Sequence, residues 1–352
     1  MFENRNKRTE LSGLGEFGLI RYLTRDIHIK NPSTLKGVGD DAAVLDYQGR
    51  KILVSTDLLI EGIHFDLTYT PLKHLGYKAA VVNFSDIAAM NAFPEQLTLG
   101  IAVSNRFSLE ALDEIYSGMY LACERYGVDF IGGDTSSSVT GLMMSLTVLG
   151  AAGEADITYR DTARIGNLVC VSGDLGGAYM GLLLLEREKK VFKADPLVRP
   201  DLEGYDYILQ RQLKPEARVD IVRKLKDLQI KPTAMIDISD GLASEILHIC
   251  TGSQTGCSLY EEKIPIDPAT MQASYEMGIE PAVSALNGGE DYELLFTMDM
   301  KDYEKIKDDP DISVIGHITD QSGGMNLITR TGSQVPLQAQ GWDAFFERRE
   351  ER

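Results

Sequence analysis

Apolar residues recur along this chain at two spacings, and the switching between them outlines a protein of mixed helices and strands. From Pro71 to Ala92 an early proline is followed by Leu75, Ala79, Val82 and Ile87 at helical spacing, which predicts one long helix. Leu109–Tyr126 shows the helical pattern again, and Leu14–Ile27 reads as a helix before either. Short β-prone runs predict strands at Ala42–Asp46, Ile52–Asp57, Leu97–Val103, Val128–Ile131 and Leu142–Ala151. The first two flank the Gly-containing turn Tyr47-Gln-Gly-Arg-Lys51, a hairpin, and Val128–Ile131 has the composition of a buried strand.

A polar break, Gly153-Glu-Ala-Asp156, precedes a second series. It runs strand Leu168–Ser172, helix Tyr179–Glu186, a Pro-containing connection Lys193–Arg199, helix Val219–Leu228, strand Thr233–Ile236 and helix Gly241–Cys250. Strands follow at Tyr292–Thr297, Val314–Ile318 and Asn326–Ile328. At 352 residues the chain is long enough for two domains with real cores. The expected architecture is α+β (mixed α/β): residues 1–152, residues 153–346, and a charged tail at 347–352.

Charge changes this picture. Lys plus Arg number 35 against 53 Asp plus Glu, a net charge of −18, which argues against a nucleic-acid surface or docking on anionic lipid. No run approaches the roughly 18–20 apolar residues of a membrane helix, and no apolar stretch follows the basic residues near Met1, so a cytoplasmic protein is expected. The four cysteines form no C-x-x-C pair and read as buried free thiols of a reducing compartment.

Familiar nucleotide motifs do not fit. Gly13-Leu-Gly15-Glu-Phe-Gly18 has G-x-G-x-x-G spacing but no strand before it, and no phosphate-binding G-x-x-x-x-G-K-[ST] occurs. What recurs instead is a carboxylate at the end of an element, beside glycine or a hydroxyl. Asp40-Asp41 opens a strand and Ser55-Thr56-Asp57 closes one; Asn83 and Asp86 share a helix face; Gly132-Gly133-Asp134 ends a strand; Asp237-Ile-Ser239-Asp240-Gly241 joins a strand to a helix; Asn287-Gly-Gly-Glu290-Asp291 precedes another strand. Taken singly, each acid reads as a turn residue or helix cap. Gathered together, two such charges at 4 Å repel by about 4 kcal/mol at an effective dielectric of 20, so convergence calls for cations or raised pKa values. Oxygen-only donors of this kind suit Mg²⁺ around a polyphosphate.

The ordered set Leu14-Gly-Glu-Phe-Gly-Leu-Ile20, Gly39-Asp-Asp-Ala42, Ser55-Thr-Asp57 with Glu61-Gly-Ile-His64-Phe65, Asn83-Phe-Ser-Asp86, Gly132-Gly-Asp134-Thr135, Arg160-Asp161, Asp237-Ile-Ser-Asp-Gly241 and Gly288-Gly-Glu-Asp-Tyr-Glu-Leu-Leu295 resembles the thiamine-monophosphate kinase family, within the aminoimidazole-ribonucleotide-synthetase-like ATP-binding superfamily. The resemblance runs from about Leu14 to Phe345. It implies an enzyme that phosphorylates thiamine monophosphate with ATP and several Mg²⁺ ions, and a homodimer paired through its N-terminal domains. Residue by residue it implies Asp41, Ser55, Thr56, Asp57, Asp86, Asp134, Asp237 and Asp240 as metal ligands. Tyr116, Gly133, Asp134, Arg160 and Ser239 fall to ATP, with Arg160 also stabilising charge in catalysis. His64, Glu290 and Trp342 fall to the substrate. Read without the resemblance, His64 serves equally as a core histidine, Tyr116 and Trp342 as packing, and Arg160 as half of a surface ion pair. In the closing segment Gly341-Trp-Asp-Ala-Phe345, Ala344 replaces the family's usual histidine. Alternatives are an aminoimidazole-ribonucleotide synthetase or a non-catalytic protein that binds nucleotide or divalent cations.

Overall fold

In a computed structural model the described residues are 34–36, 39–47 and 49–339. The helix expected at Leu14–Ile27, Trp342 and the charged tail lie outside them.

The first sheet contains β1 (Thr34–Lys36), β2 (Ala43–Tyr47), β3 (Arg50–Ile60), β4 (Phe93–Val103), β5 (Asp129–Ser137) and β6 (Met143–Ala152), in the order β1-β2-β3-β6-β4-β5. Only the β4–β5 pair is parallel. One face packs on α1 (Leu72–Ala89), with α2 (Leu109–Tyr126) beyond it. Along β3, β4 and β6 buried residues such as Leu53, Leu97, Leu99, Leu146 and Val148 alternate with more exposed ones, the period-two signature of a sheet covered on one side.

The second sheet joins β7 (Leu168–Ser172), β8 (Ala234–Asp237), β9 (Gly256–Tyr260), β10 (Leu294–Met298), β11 (Ile312–Thr319), β12 (Met325–Ile328) and β13 (Gln334–Pro336), ordered β13-β12-β9-β11-β7-β10-β8. Around it lie α3 (Gly177–Ala194), α4 (Asp206–Leu213), α5 (Val219–Asp227), α6 (Leu242–Ser253), α7 (Pro268–Glu276) and α8 (Pro281–Asn287). Every residue of β7, β8 and β10 is buried, as in strands covered on both faces. Two mixed sheets with helices on their faces make the α+β fold expected.

Several elements differ from their sequence reading. β3 runs past Asp57 to Ile60, so Ser55-Thr56-Asp57 lies inside the strand and does not close it, and β4 starts at Phe93, ahead of Leu97. β1, β9, β13, α4, α7 and α8 are short elements that the sequence reading does not include. The strand at Val128–Ile131 is an edge strand: β5 runs on to Ser137 and most of it is exposed, because nothing among the described residues pairs beyond it. The helix expected to end at Glu186 continues to Ala194, so it takes in the start of the supposed connection at Lys193. Its charged second half has no alternation of burial that a sequence reading could follow.

α1 positions the site. It is buried nearly all round from Leu75 to Ala89, as a helix must be when it is covered on every side. Its approach to α2 depends on two glycines: a Cβ on Gly76 would sit 3.1 Å from Ile115 Cα, and one on Gly118 2.8 Å from Tyr77 N, with backbone carbonyls closer still. α2 is fixed at both ends, by the Ser108 hydroxyl accepting from Ala111 N and by left-handed Gly127. We expect Gly118→Ala to destabilise the protein by about 1–3 kcal/mol in urea titration, since overpacking two backbones outweighs the gain of up to ~1 kcal/mol in helix propensity.

Candidate active site

Three carboxylates meet where the two sheets face each other across α1. Asp41 comes from the turn before β2, Asp86 from the last turns of α1, and Asp237 from the end of β8. One oxygen of each lies within 4.8 Å of the others. Their second contacts aim them. The Ser55 hydroxyl donates to Asp86 Oδ2 at 2.5 Å, and the Ser85 hydroxyl donates to Asp237 Oδ2 at 2.6 Å. Ser85 and Asp86 are adjacent on α1, so this one turn of helix serves both the first sheet and the second.

Asp57 borders the trio. It lies two residues beyond Ser55 on β3, hence on the same face, and its backbone N–H donates to Asn83 Oδ1 at 3.2 Å. Asn83, one turn before Asp86, was legible as its partner on the helix face. Ser85 carried no signal in the sequence, because a serine inside a helix has no distinctive spacing. Burial holds the Asp57 carboxyl up at about 6, with the Asp237 charge adding to it. Burial likewise pushes Asp41, Asp86 and Asp237 above the ordinary carboxylate range, and neighbouring acids add to the rise at Asp41 and Asp86.

Cations relieve only part of this charge. Arg160 Nη2 stands 3.5 Å from Asp41 Oδ1, and its Nε 3.5 Å from Asp40 Oδ1. Asp40, whose side chain is fully buried, also receives Lys36 at 2.7 Å, and Lys36 reaches Asp161 at 3.0 Å. Asp40 is therefore neutralised by protein cations, whereas Asp41 keeps a buried oxygen, Oδ2, with no hydrogen-bond partner. An orphaned carboxylate oxygen beside two converging acids is a donor set that fits a hard divalent cation such as Mg²⁺.

The remaining expected residues spread around this centre. Ser239 and Asp240 form the turn into α6, where Glu245 Oε1 accepts from Asp240 N at 2.9 Å and from the Ser239 hydroxyl at 3.3 Å. Gly289 packs against this turn, since a Cβ there would lie 3.2 Å from Asp240 Cα. Its neighbour Glu290 accepts from Lys78 Nζ at 3.0 Å and from Gln212 Nε2 at 2.7 Å. His64 is exposed, not a core residue: Ile60 N donates to its Nδ1 at 3.0 Å, which leaves the proton of the neutral ring on Nε2. Thr56 turns to the other face of β3, donating to Leu146 O at 3.1 Å and contacting Thr147.

Gly133 and Asp134 are not drawn into the trio. They lie on β5, three strand spacings or about 14 Å along the sheet from Asp57. Tyr116 on α2 is half-buried and meets Phe130 edge-on and Tyr120 at a tilt, with centroids 6.0 Å away in each case. Asp291 and Glu293, beside Glu290 in sequence, serve the fold. Asp291 accepts from Gly176 N and Ala178 N at the start of α3, while Glu293 takes Arg211 at 2.9 Å and Arg218. All four cysteines are buried and free.

The two-sheet fold is that of the AIR-synthase-related class. Residues 39–152 match the family described as AIR synthase related protein, N-terminal domain. Hydrogenase maturation protein HypE solved with ATP shares the fold, with a TM-score of 0.67 at 19% identity over 96% of this chain and all of that one. The particular family is narrower. This chain is 33% identical over 335 residues to a thiamine-monophosphate kinase of Aquifex aeolicus, covering 95% of this chain and 99% of the relative. It is 31% identical to that of Bacillus subtilis over 94% of this chain and 100% of the relative. A solved structure described as AaThiL complexed with AMPPCP and TMP superposes with a TM-score of 0.82, at 30% identity over 96% and 99% of the two chains. The chain belongs to the thiamine-monophosphate kinase family.

The raised carboxyls make stability depend on pH. The folded Asp57 value of about 6 exceeds the ordinary 3.8, so the folded state binds this proton more tightly than the unfolded chain does. Its contribution is complete below about pH 4 and is lost as pH rises through 6, amounting to at most ~3 kcal/mol. Without divalent cations the urea midpoint should fall across this window. Asp57→Asn should flatten the fall, and Mg²⁺ should restore the midpoint above pH 6.

Proposed function

We propose that this protein transfers the terminal phosphoryl group of ATP to thiamine monophosphate, giving thiamine diphosphate. The observation that carries the reading is the trio Asp41, Asp86 and Asp237, oriented by serine hydroxyls and only partly neutralised by protein cations. Family membership and the relative solved with an ATP analogue and TMP support the choice of substrates.

Asp41, Asp57, Asp86 and Asp237 would hold Mg²⁺, with Ser55 and Asp240 as further ligands implied by resemblance. Thr56 and Asp134, which the resemblance also implies, lie on the other face of β3 and on β5, away from this centre. Bound there, Mg²⁺ supplies positive charge against the repulsion between two anionic reactants. Arg160 adds a fixed guanidinium beside Asp41, and buried contacts to Asp40 restrict its movement. The Ser239–Asp240 turn offers the N-terminal backbone of α6 to a phosphate, with Tyr116, Gly133 and Asp134 completing the ATP side. His64, Glu290 and Trp342 take the thiamine side.

The acceptor is itself a phosphate monoester, mostly dianionic at pH 7 given a second pKa of about 6. Its oxygen is a ready nucleophile and no protein base is required. The new bond forms from that oxygen to the terminal phosphorus as the bond to the bridging oxygen breaks and ADP leaves, in line and without a phosphorylated enzyme. Residues 1–152 and 153–346 are taken as the two domains, in a cytoplasmic homodimer. The pairing is supported by the first sheet's second face, where Val54, Leu58 (46% exposed), Met143 and Leu149 stay partly open among the described residues.

Two measurements test these readings. Release of ADP should require thiamine monophosphate and Mg²⁺, and Asp57→Asn and Asp237→Asn should each lower turnover by at least about 10², or ~2.7 kcal/mol. ADP release independent of thiamine monophosphate, or near-normal rates in both variants at saturating Mg²⁺, counts against it. Sedimentation should show a dimer that Leu58→Glu converts to monomer at micromolar concentration, because the charge would be buried unpaired.

A further inference from the structure

We infer that Lys78 and Gln212 are positioning residues that brace the Glu290 carboxylate for thiamine monophosphate. The inference rests on reading Glu290 as a substrate contact. Lys78 is a lysine of α1 with only 6% of its surface exposed, and lysines are rarely buried without a dedicated partner. Its ammonium lies 3.0 Å from Glu290 Oε1 and donates to Gln212 O at 2.8 Å. Gln212, equally buried at 6%, donates from Nε2 to Glu290 Oε2 at 2.7 Å. Each oxygen of one carboxylate thus has its own donor, one from α1 and one from α4.

Three unfavourable features converge on this side chain. An ammonium is taken out of water. Gln212 commits its amide nitrogen to Glu290, and its own Oε1 is left buried with no hydrogen-bond partner. Glu290 itself sits at φ +66°, in the left-handed region that a glutamate seldom adopts, held there by Glu290 N donating to Ser239 O at 2.7 Å. Local costs that accumulate at one group mark places where the fold is constrained by function. Packing alone would be served better by an apolar residue at position 78, as in the surrounding helix.

The brace leaves Glu290 able to act. A carboxylate has about four acceptor sites, so two remain for donors of the ligand. Thiamine monophosphate brings an amino group and a cationic ring, and a carboxylate of fixed orientation selects for both. α1 also carries Ser85 and Asp86, so the element that aims the acids of the phosphate end also sets the carboxylate of the thiamine end. Lys78 is eight residues before Asp86, about 12 Å along the helix axis, which separates the brace from the reacting phosphates.

The test is the steady-state kinetics of the full-length protein, with thiamine monophosphate and ATP varied in turn. Lys78→Met and Gln212→Met should each raise KM for thiamine monophosphate about tenfold, while kcat and KM for ATP stay within about threefold. If Lys78→Met does not fold, Gln212→Met decides, because it leaves the Lys78–Glu290 pair in place. An unchanged or lowered KM for thiamine monophosphate overturns the brace. So does a parallel loss of kcat, both KM values and thermal stability, which marks a purely structural role. Glu290→Gln separates the two levels: a wild-type KM there removes the substrate reading of Glu290 and the brace with it. A raised KM in Glu290→Gln alone removes only the brace.

Discussion

The constraint on which this structure turns is the mutual repulsion of carboxylates held together in a buried place. Asp41, Asp86 and Asp237 come from three separate stretches of chain and lie close enough for one oxygen of each to fall within 4.8 Å of the others. Such a trio is unfavourable in an empty site and becomes favourable only when a cation or a proton enters it. Burial lifts all three carboxyls in pKa, so protons are the default relief. The surrounding residues limit how far that relief can go. Ser55 and Ser85 donate hydrogen bonds that favour the charged forms of Asp86 and Asp237, and Arg160 attracts Asp41 and Asp237. These contacts offset part of the rise that burial causes.

Holding three like charges in place requires a rigid frame, and α1 supplies it. A helix buried nearly all round cannot shift without disturbing both sheets. The backbone contact at Gly76 and Gly118 fixes its distance from α2. Tyr77 on α1 and Tyr126 at the end of α2 both donate to Glu216 Oε2, at 2.8 and 2.6 Å, tying these helices to the connection between α4 and α5. α1 is therefore hydrogen-bonded to the second half of the chain at three levels: Tyr77 to Glu216, Lys78 to Gln212 and Glu290, and Ser85 to Asp237 on β8. Motion of α1 against that half would have to break polar bonds at all three, those of Lys78 and Ser85 buried.

Much of this was legible in the sequence, for a definite reason. Asp41, Asp86 and Asp237 stand at or near element ends beside glycine or hydroxyl residues, where a fold can bring distant acids together, and Asp57 lies inside β3 on the same face as Ser55. Periodicity gave the helices at 72–89 and 109–126 and the strands at 43–47, 143–152 and 168–172 to within a few residues. It failed where burial does not alternate. β9, α7 and α8 are short and mixed in composition, and β5 is apolar at its start yet exposed, because edge position is a property of the sheet and not of the strand. Second contacts were the least visible. Ser85, Lys78 and Gln212 sit inside helices, at positions whose partners lie 152, 212 and 78 residues away in the chain.

The acids of Gly288–Glu293 show why type and spacing alone do not assign roles. Three carboxylates lie within four residues, and the local backbone sends them to three different tasks. Left-handed φ values at Glu290 and Tyr292, +66° and +52°, rotate successive side chains away from the simple alternation of a strand. Asp291 goes inward to the first N–H groups of α3. There burial raises its carboxyl to about 7 despite Arg211 and the backbone donors. Glu293 enters the sheet and holds Arg211 and Arg218, with Ser172 donating at 2.5 Å. Only Glu290 is left half-exposed, against Lys78 and Gln212. Arg211 and Gln212 are adjacent on α4, so the residue that neutralises the structural acids and the one that grips Glu290 are carried by the same turn of helix. The motif therefore works as a unit: its two buried acids fix the loop, and the fixed loop presents the third.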